Sequence, residues 1–492
     1  MALRRATAGL AVALLLAGCA VGPDFQRPAA PEQSGYTPQP VAPIAATGNL
    51  AGGGGQRFAV GRDIPGQWWE LFRSPALDSL VRQALAANPD LEAAQAALRQ
   101  AKELALAQGG VLYPAVDAGF SAARERPSAA STGFQGPAPI FSLANASVSV
   151  SYAVDLFGGN LRAIESAEAQ AELQRYQLEA AYLSLSANLV TAAVQEASLR
   201  AQIATTNEIL EAERRQLEVV RRQFELGGAA KSDVLAQEAT LAQTRATLPA
   251  LGKQLALLRN QLTALAGRFP AQQIEQSFDL SGLTLPDQLP LSLPSQLVEQ
   301  RPDLRAAEAL LHQASADLGV ATANQFPQLT LSAGWGSAAN GVGALFSSGT
   351  GLWNLGLGLT QPVFHGGELL HRRKAAEAAL DKAAAQYRSA VLTAFRSVAD
   401  ALSALQSDTE ALAAQLAAER SAADSLALSR QQYALGAVSY LTLLNAERTH
   451  EQTRIGLVQA QAARYADTAA LFQALGGGWW NRSDVAAGAT AE

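Results

Sequence analysis

The 492-residue chain has one cysteine, Cys19, and one methionine, Met1. A lone cysteine cannot form an internal disulfide, and with Met1 as the only methionine the chain is poorly equipped to handle copper through thioethers. Charged residues make up only 16% of the chain and the formal net charge is −6, so there is no basic face for nucleic acid. The four histidines, His312, His365, His371 and His450, stand singly in repetitive contexts, as solvated polar positions would. His450-Glu451-Gln452-Thr453-Arg454 lacks the second histidine of a zinc-protease helix. Phosphate loops, cysteine pairs and nucleophile elbows are missing too, so the sequence reads as a non-enzyme that needs no cofactor and no metal.

Glycine and proline are absent from Asn160 to Leu226, about 67 residues on which apolar side chains recur with helical period. At roughly 1.5 Å per residue this predicts a helix of about 100 Å, longer than any globular domain needs. Tyr182, Leu189, Ile203, Leu210, Leu217 and Phe224 form one heptad seam, broken at Glu196. Leu178, Leu185, Ala192, Leu199 and Val220 form its companion, so the helix asks for partner helices. Its other faces carry Arg, Glu and Gln, unlike a bilayer-spanning helix, which needs about 20 mostly apolar residues. Leu226-Gly227 stops it, glycine being the residue that accepts the left-handed closing conformation.

A second stretch free of both residues runs from Glu368 to Leu435 and stops at Gly436. The chain is duplicated. Pro89-Asp90-Leu91 returns as Pro302-Asp303-Leu304, and Arg221, Gln223, Leu235, Glu238, Thr240 and Gln243 return as Arg430, Gln432, Leu444, Glu447, Thr449 and Gln452. A period of about 210 residues makes each half an entire assembly rather than a solenoid unit.

Residues 1–18, with Arg4-Arg5 and an apolar run from Leu10 to Ala17, read as a secretory signal peptide, and Leu16-Ala17-Gly18-Cys19 resembles a lipobox that would leave Cys19 lipidated. Residues 19–66 read as a Pro/Gly-rich tether with little regular structure. The first repeat spans 67–267: short helices, a β-hairpin at 114–155, the long helix 160–226 and a return helix 231–266 bent by Pro249. A crossover at 268–294 leads to the second repeat, 295–475, with a β-hairpin at 327–364, the long helix 368–435 and a return helix 439–475; residues 476–492 read as a tail.

In the β segments the period changes from 3.6 to 2. Ala144, Ala146, Val148, Val150, Tyr152 and Val154 alternate with Asn145, Ser147, Ser149 and Ser151, and Trp353, Leu355, Leu357 and Leu359 with Asn354, Gly356, Gly358 and Thr360. A single such strand suits a soluble sheet with one face on a core. Four strands of about ten residues suit a transmembrane β-barrel better. Four cannot close alone, since such barrels start at about eight strands, so the chain must oligomerise; two copies or three satisfy this.

Cys19 followed by Val21-Gly22-Pro23-Asp24, Trp68-Trp69 with Phe72, Asn88-Pro89-Asp90-Leu91, the duplicated hairpins, Tyr440-Leu441-Thr442-Leu443-Leu444 and Gly476-Gly477-Gly478-Trp479 together resemble one family. It is the TolC-like outer membrane efflux lipoproteins, or NodT family, of resistance-nodulation-division pumps. The resemblance covers nearly the whole chain beyond residue 18. It implies a mainly α fold with a small β portion, and a homotrimer with a twelve-stranded barrel in the outer membrane and an α-helical barrel reaching into the periplasm. It also implies docking to a periplasmic adaptor and an inner membrane pump, with small molecules as cargo. Two other readings stand beside it: the channel of a type I protein secretion system, and a pore-free coiled-coil lipoprotein, for which the alternating strands would be useless.

The family closes its tunnel at the hairpin turns, here Gly227 and Gly436. By resemblance, Tyr433 is the gating tyrosine and Asp233 its acidic partner on the neighbouring hairpin. Val438 stands where some members carry an arginine, and Thr442 and Asn445 stand where others carry acidic rings, leaving Leu441 as an apolar collar. The alternative is that Asp233 merely caps the return helix and Tyr433 packs in the seam.

Overall fold

The structure is a computed structural model, describing residues 20–126, 128 and 139–482. Cys19 and the signal segment lie outside the described residues, as does the end of the tail. Eight α-helices are described: α1 Pro75–Ala87, α2 Pro89–Gly109, α3 Gly159–Glu225, α4 Lys231–Leu265, α5 Pro294–Gln300, α6 Pro302–Ala323, α7 Glu368–Ala434 and α8 Tyr440–Ala474. The strands are β1 Arg57–Val60, β2 Ala115–Glu125, β3 Phe141–Val154, β4 Gln288–Leu291, β5 Gln328–Ala339 and β6 Gly351–Thr360. None of the described helices is long and apolar enough to cross a membrane.

The chain divides into two compact units, the first comprising Met1–Pro28, Ala97–Arg175 and Ala306–Arg388. At its centre is one antiparallel sheet of order β2-β3-β5-β6. The register pairs Val116 with Val150, Val148 with Trp335 and Trp335 with Trp353, so like meets like from strand to strand. One face is therefore Val116, Phe120, Val148, Leu331, Trp335, Leu355 and Leu357, and the other is Asp117, Ser147, Ser149, Gly334, Asn354 and Gly356. The apolar face points outward: Trp353, Leu355, Leu357 and Leu359 are each more than 60% exposed.

The start of the tether is clamped onto this unit. Val21 N–H donates to the Phe157 carbonyl at 3.0 Å, Arg162 meets Asp24 at 2.6 Å, and the Phe25 ring stacks on His312 at 4.3 Å. Gly22 has φ +98° with its Cα so near Gly319 that a Cβ would approach to 2.6 Å, so no other residue fits. His312 is thus no solvated bystander: Glu165 holds its Nε2 at 2.8 Å, which the isolated sequence context did not disclose.

The second unit comprises Ala29–Ala96, Tyr176–Arg305 and Ser389–Glu492. Its core is built on Trp68 and Phe72, both buried, with the Trp68 ring stacked on Phe472 at 5.5 Å. Asn88 interrupts the first helical run by capping the second: its Oδ1 accepts from the Asp90 and Leu91 amides at 3.0 and 3.1 Å. Here too the tether is held along the body. β1 pairs in parallel with β4 of the crossover, Gly52 N–H donates to the Tyr465 hydroxyl at 3.0 Å, and Gln56 is fully buried. A Pro/Gly-rich composition reported the lack of regular structure but not these long-range bonds. The tail is likewise tied down as far as described, with Trp479 donating to the Gln300 carbonyl at 2.6 Å and Arg482 paired with Glu179 at 2.9 Å.

The heptad break at Glu196 has an electrostatic cause. Glu196 is fully buried and is met by Arg200 at 2.8 Å and Arg259 of α4 at 2.7 Å, which supply the charge that burial demands. Phe224, expected in the seam, is instead 41% exposed, with the Lys231 ammonium 5.6 Å above its ring.

Candidate functional site

The site is the end of the second unit at which both hairpins turn. α3 and α7 close in the same way. Gly227 and Gly436 take φ +78° and +72°, Gly228 N–H reaches back to the Gln223 carbonyl at 2.7 Å, and Ala437 N–H to that of Gln432 at 2.8 Å. These bonds satisfy carbonyls that a helix terminus leaves open.

The return helices then start differently. Ser439 caps α8, its Oγ accepting from the Thr442 amide at 3.3 Å and lying 3.0 Å from the Thr442 hydroxyl. At the matching place before α4 stands Ala230, which has no side-chain acceptor, and Asp233 at the third helical position folds back to accept the Ala230 amide at 3.2 Å. Within one chain Asp233 is therefore a capping residue, and the expected Asp233–Tyr433 hydrogen bond gives way to another partner: Tyr433 donates to Gln223 Oε1 at 2.9 Å. Asp233 still acts on Tyr433 through its charge. Burial first, and then that carboxylate, push the phenol above its ordinary range.

A second tyrosine, which the sequence reading missed, makes the parallel bond. Tyr440 of α8 donates to Gln237 Oε1 of α4 and packs edge-on against Tyr433 at 5.6 Å. Burial, followed by the Glu447 charge, raises its pKa as well, so both hydroxyls keep their protons. The signal lay in the duplication, since Tyr433 and Tyr440 stand where the first repeat has Phe224 and Lys231. Hydroxyls therefore come from the second hairpin and amide acceptors from the first.

Beneath these bonds Leu217, Val220, Val234, Leu426, Tyr440, Leu443 and Leu444 form one apolar cluster contributed by all four helices. On its outer face α8 presents Leu441, 62% exposed, with Thr442 and Asn445, also exposed and sharing one side of the helix at spacings of one and four residues. Val438 offers no charge. Two ion pairs repeat with the duplication: Arg221–Glu238 at 2.7 Å and Arg430–Glu447 at 3.4 Å, each tying a long helix to its own return helix. The tip can thus hold two hairpins together through replaceable polar bonds over a common core. Among the described residues no group of His, Cys, Asp and Glu is arranged to hold a metal.

Known proteins resemble this chain along both repeats. The outer membrane efflux protein family matches residues 80–268 and 293–477, one block for each repeat. The pyoverdine export outer membrane protein OpmQ of Pseudomonas aeruginosa is 33% identical over 421 residues, 84% of this chain and 87% of its own. The toluene efflux pump outer membrane protein TtgF of Pseudomonas putida is 31% identical over 484 residues, covering 96% and 97%. Among solved structures, the outer-membrane channel OprN superposes with a TM-score of 0.84 at 28% identity, over 94% of this chain and all of that one.

Proposed function

The chain belongs to the outer membrane efflux protein family, whose members are outer membrane channels and not enzymes, and from that premise we propose that three copies assemble into one passive conduit of a tripartite efflux system. The carrying observation is the four-stranded sheet, apolar outward and polar on its other face, with β2 and β6 at its two edges. In lipid an unpaired edge strands backbone groups that cost several kcal/mol each, on the order of the price of a lost hydrogen bond without water, so the edges must be met by other copies. Three copies give twelve strands. Beyond the barrel the duplicated hairpins line a tunnel that a periplasmic adaptor and an inner membrane resistance-nodulation-division pump engage.

The cargo is small molecules, drugs and toxic compounds among them, a reading supported by the pyoverdine export protein OpmQ and the toluene efflux protein TtgF among its relatives. Cys19 anchors the assembly in the outer membrane through its lipid, and the clamp from Val21 onward carries that anchor to the foot of β3. At the periplasmic tip the pore is closed by Leu441 with the Tyr433 and Tyr440 bonds. Thr442 and Asn445 in place of acidic rings give weak cation binding there.

Deleting the gene and comparing drug, metal and exoprotein export tests the reading. Loss of drug export alone is expected; loss of exoprotein export alone would move the channel to a type I secretion system. Mass spectrometry of the mature amino terminus tests the anchor, which an unmodified Cys19 would refute.

A further inference from the structure

Above the tip, where Arg454 of α8 reaches Glu208 of α3, three glutamates lie near enough across the α3–α8 seam to act on one another through charge. Glu213 of α3 is 2% exposed; its Oε1 accepts from the Thr244 hydroxyl at 2.8 Å, and its Oε2 is buried without a hydrogen-bond partner. Glu447 and Glu451, one turn apart on α8, act on it or on each other through charge. The surrounding cations have hydrogen-bond partners of their own, and Arg448 and Arg454 offset part of the burial of Glu451 by their charge, as Arg448 does for Glu213. Arg430 of α7 reaches only Glu447, Arg448 donates to the Thr240 hydroxyl of α4 at 2.7 Å, Arg454 pairs with Glu208 of α3, and His450 turns to Glu419 of α7 at 3.4 Å.

The duplication shows that helix packing does not require these acids. At the places matching Glu213 and Glu451 the other repeat has Ala422 and Ala242, and the match of Glu447 is Glu238, a half-buried residue paired with Arg221. Of these positions only Glu213 and Glu447 are buried and Glu451 is half-buried, and all three lie in one of two repeat-related seams, the one joining the first hairpin to the second. We propose that this α3–α8 seam is a proton-operated latch on the tip: with a proton held among Glu213, Glu447 and Glu451 the hairpins stay packed, and releasing it to water sets like charges against each other and parts them.

Burial, then the Glu213 and Glu447 charges, push Glu451 up to about 8, and burial raises Glu213 and Glu447 too. The packed state therefore binds the proton more tightly than a parted, solvated state in which the carboxyls regain their ordinary range. Packing is fully favoured at acid pH and loses ground as pH rises towards about 8. Each pH unit in that window changes the packed-to-parted ratio by up to about tenfold for one titrating group.

The proposal rests on the tip being the gate, and the test separates the two. In the full-length protein in lipid nanodiscs, spin labels at Leu226→Cys and Leu435→Cys, 80% and 85% exposed in the native chain, report the distance between hairpin turns. From pH 5 to pH 8.5 that distance should grow, should stay fixed with Glu451→Gln or Glu213→Gln, and should still grow with Glu238→Gln. A constant distance in the native background, or growth that survives Glu451→Gln, overturns the latch. Single-channel recording over the same range should show an open fraction rising with pH; turns that part without a rise in conductance uphold the latch and refute the gate.

Discussion

Tyr433 and Tyr440 each hold one glutamine of the facing hairpin, yet they differ in burial, and that difference sets what each is worth. A neutral hydrogen bond contributes about 1 kcal/mol net, while stranding a buried acceptor costs about 1–3 kcal/mol. Tyr440, 5% exposed, should therefore matter more than the half-buried Tyr433. Tyr440→Phe is expected to loosen the closed tip by about 1–3 kcal/mol and Tyr433→Phe by about 1 kcal/mol or less, read as the open fraction in planar bilayers. A second residue-scale expectation concerns Asp467 of α8. Burial, then the hydrogen bond and charge of Asp408 on α7, raise it to about 7. The folded state thus holds a proton that the unfolded chain has released, so this carboxyl's contribution is complete at low pH and is lost as pH rises from the ordinary aspartate range to about 7. Asp467→Asn should flatten that part of the thermal-unfolding profile, and an unchanged profile would show that the Asp467 carboxyl does not hold the proton.

At the scale of elements, the two hairpin turns and the sheet carry the clearest demands. Gly227 and Gly436 hold positive φ with open space where a Cβ would sit, so alanine there meets only the backbone penalty, about 1–2 kcal/mol. Gly227→Ala should lower the stability of the extracted protein by that amount without changing its assembly. On the sheet, Leu355→Arg puts a charge on the outward face at a cost of about 2–4 kcal/mol if it lies at the bilayer midplane, whereas Asn354→Arg, on the polar face, should fold normally. The yield of folded protein in outer membranes distinguishes the two. The faces themselves were legible from period-2 alternation, and the helices from the missing glycine and proline. What the sequence hid was pairing between distant segments: the bonds holding Gly52 and Gln56, the Glu165 partner of His312, and the Ala230 vacancy in capping chemistry that turns Asp233 back on its own helix. A side chain's type predicts its needs, but only the fold decides which neighbour meets them.

For the whole molecule, the duplication was readable from the sequence, and its departures proved as informative as its matches. Lys231 against Tyr440, Phe224 against Tyr433 and Ala422 against Glu213 make one hairpin donate, the other accept, and one seam acidic. A channel requires the sheet edges to be closed by other copies, and physics alone allows eight strands from two chains as well as twelve from three. Native mass spectrometry of the protein extracted from outer membranes in mild detergent counts the copies directly. Three chains are predicted; a stable monomer, or a form soluble without detergent, would contradict the barrel and with it the channel.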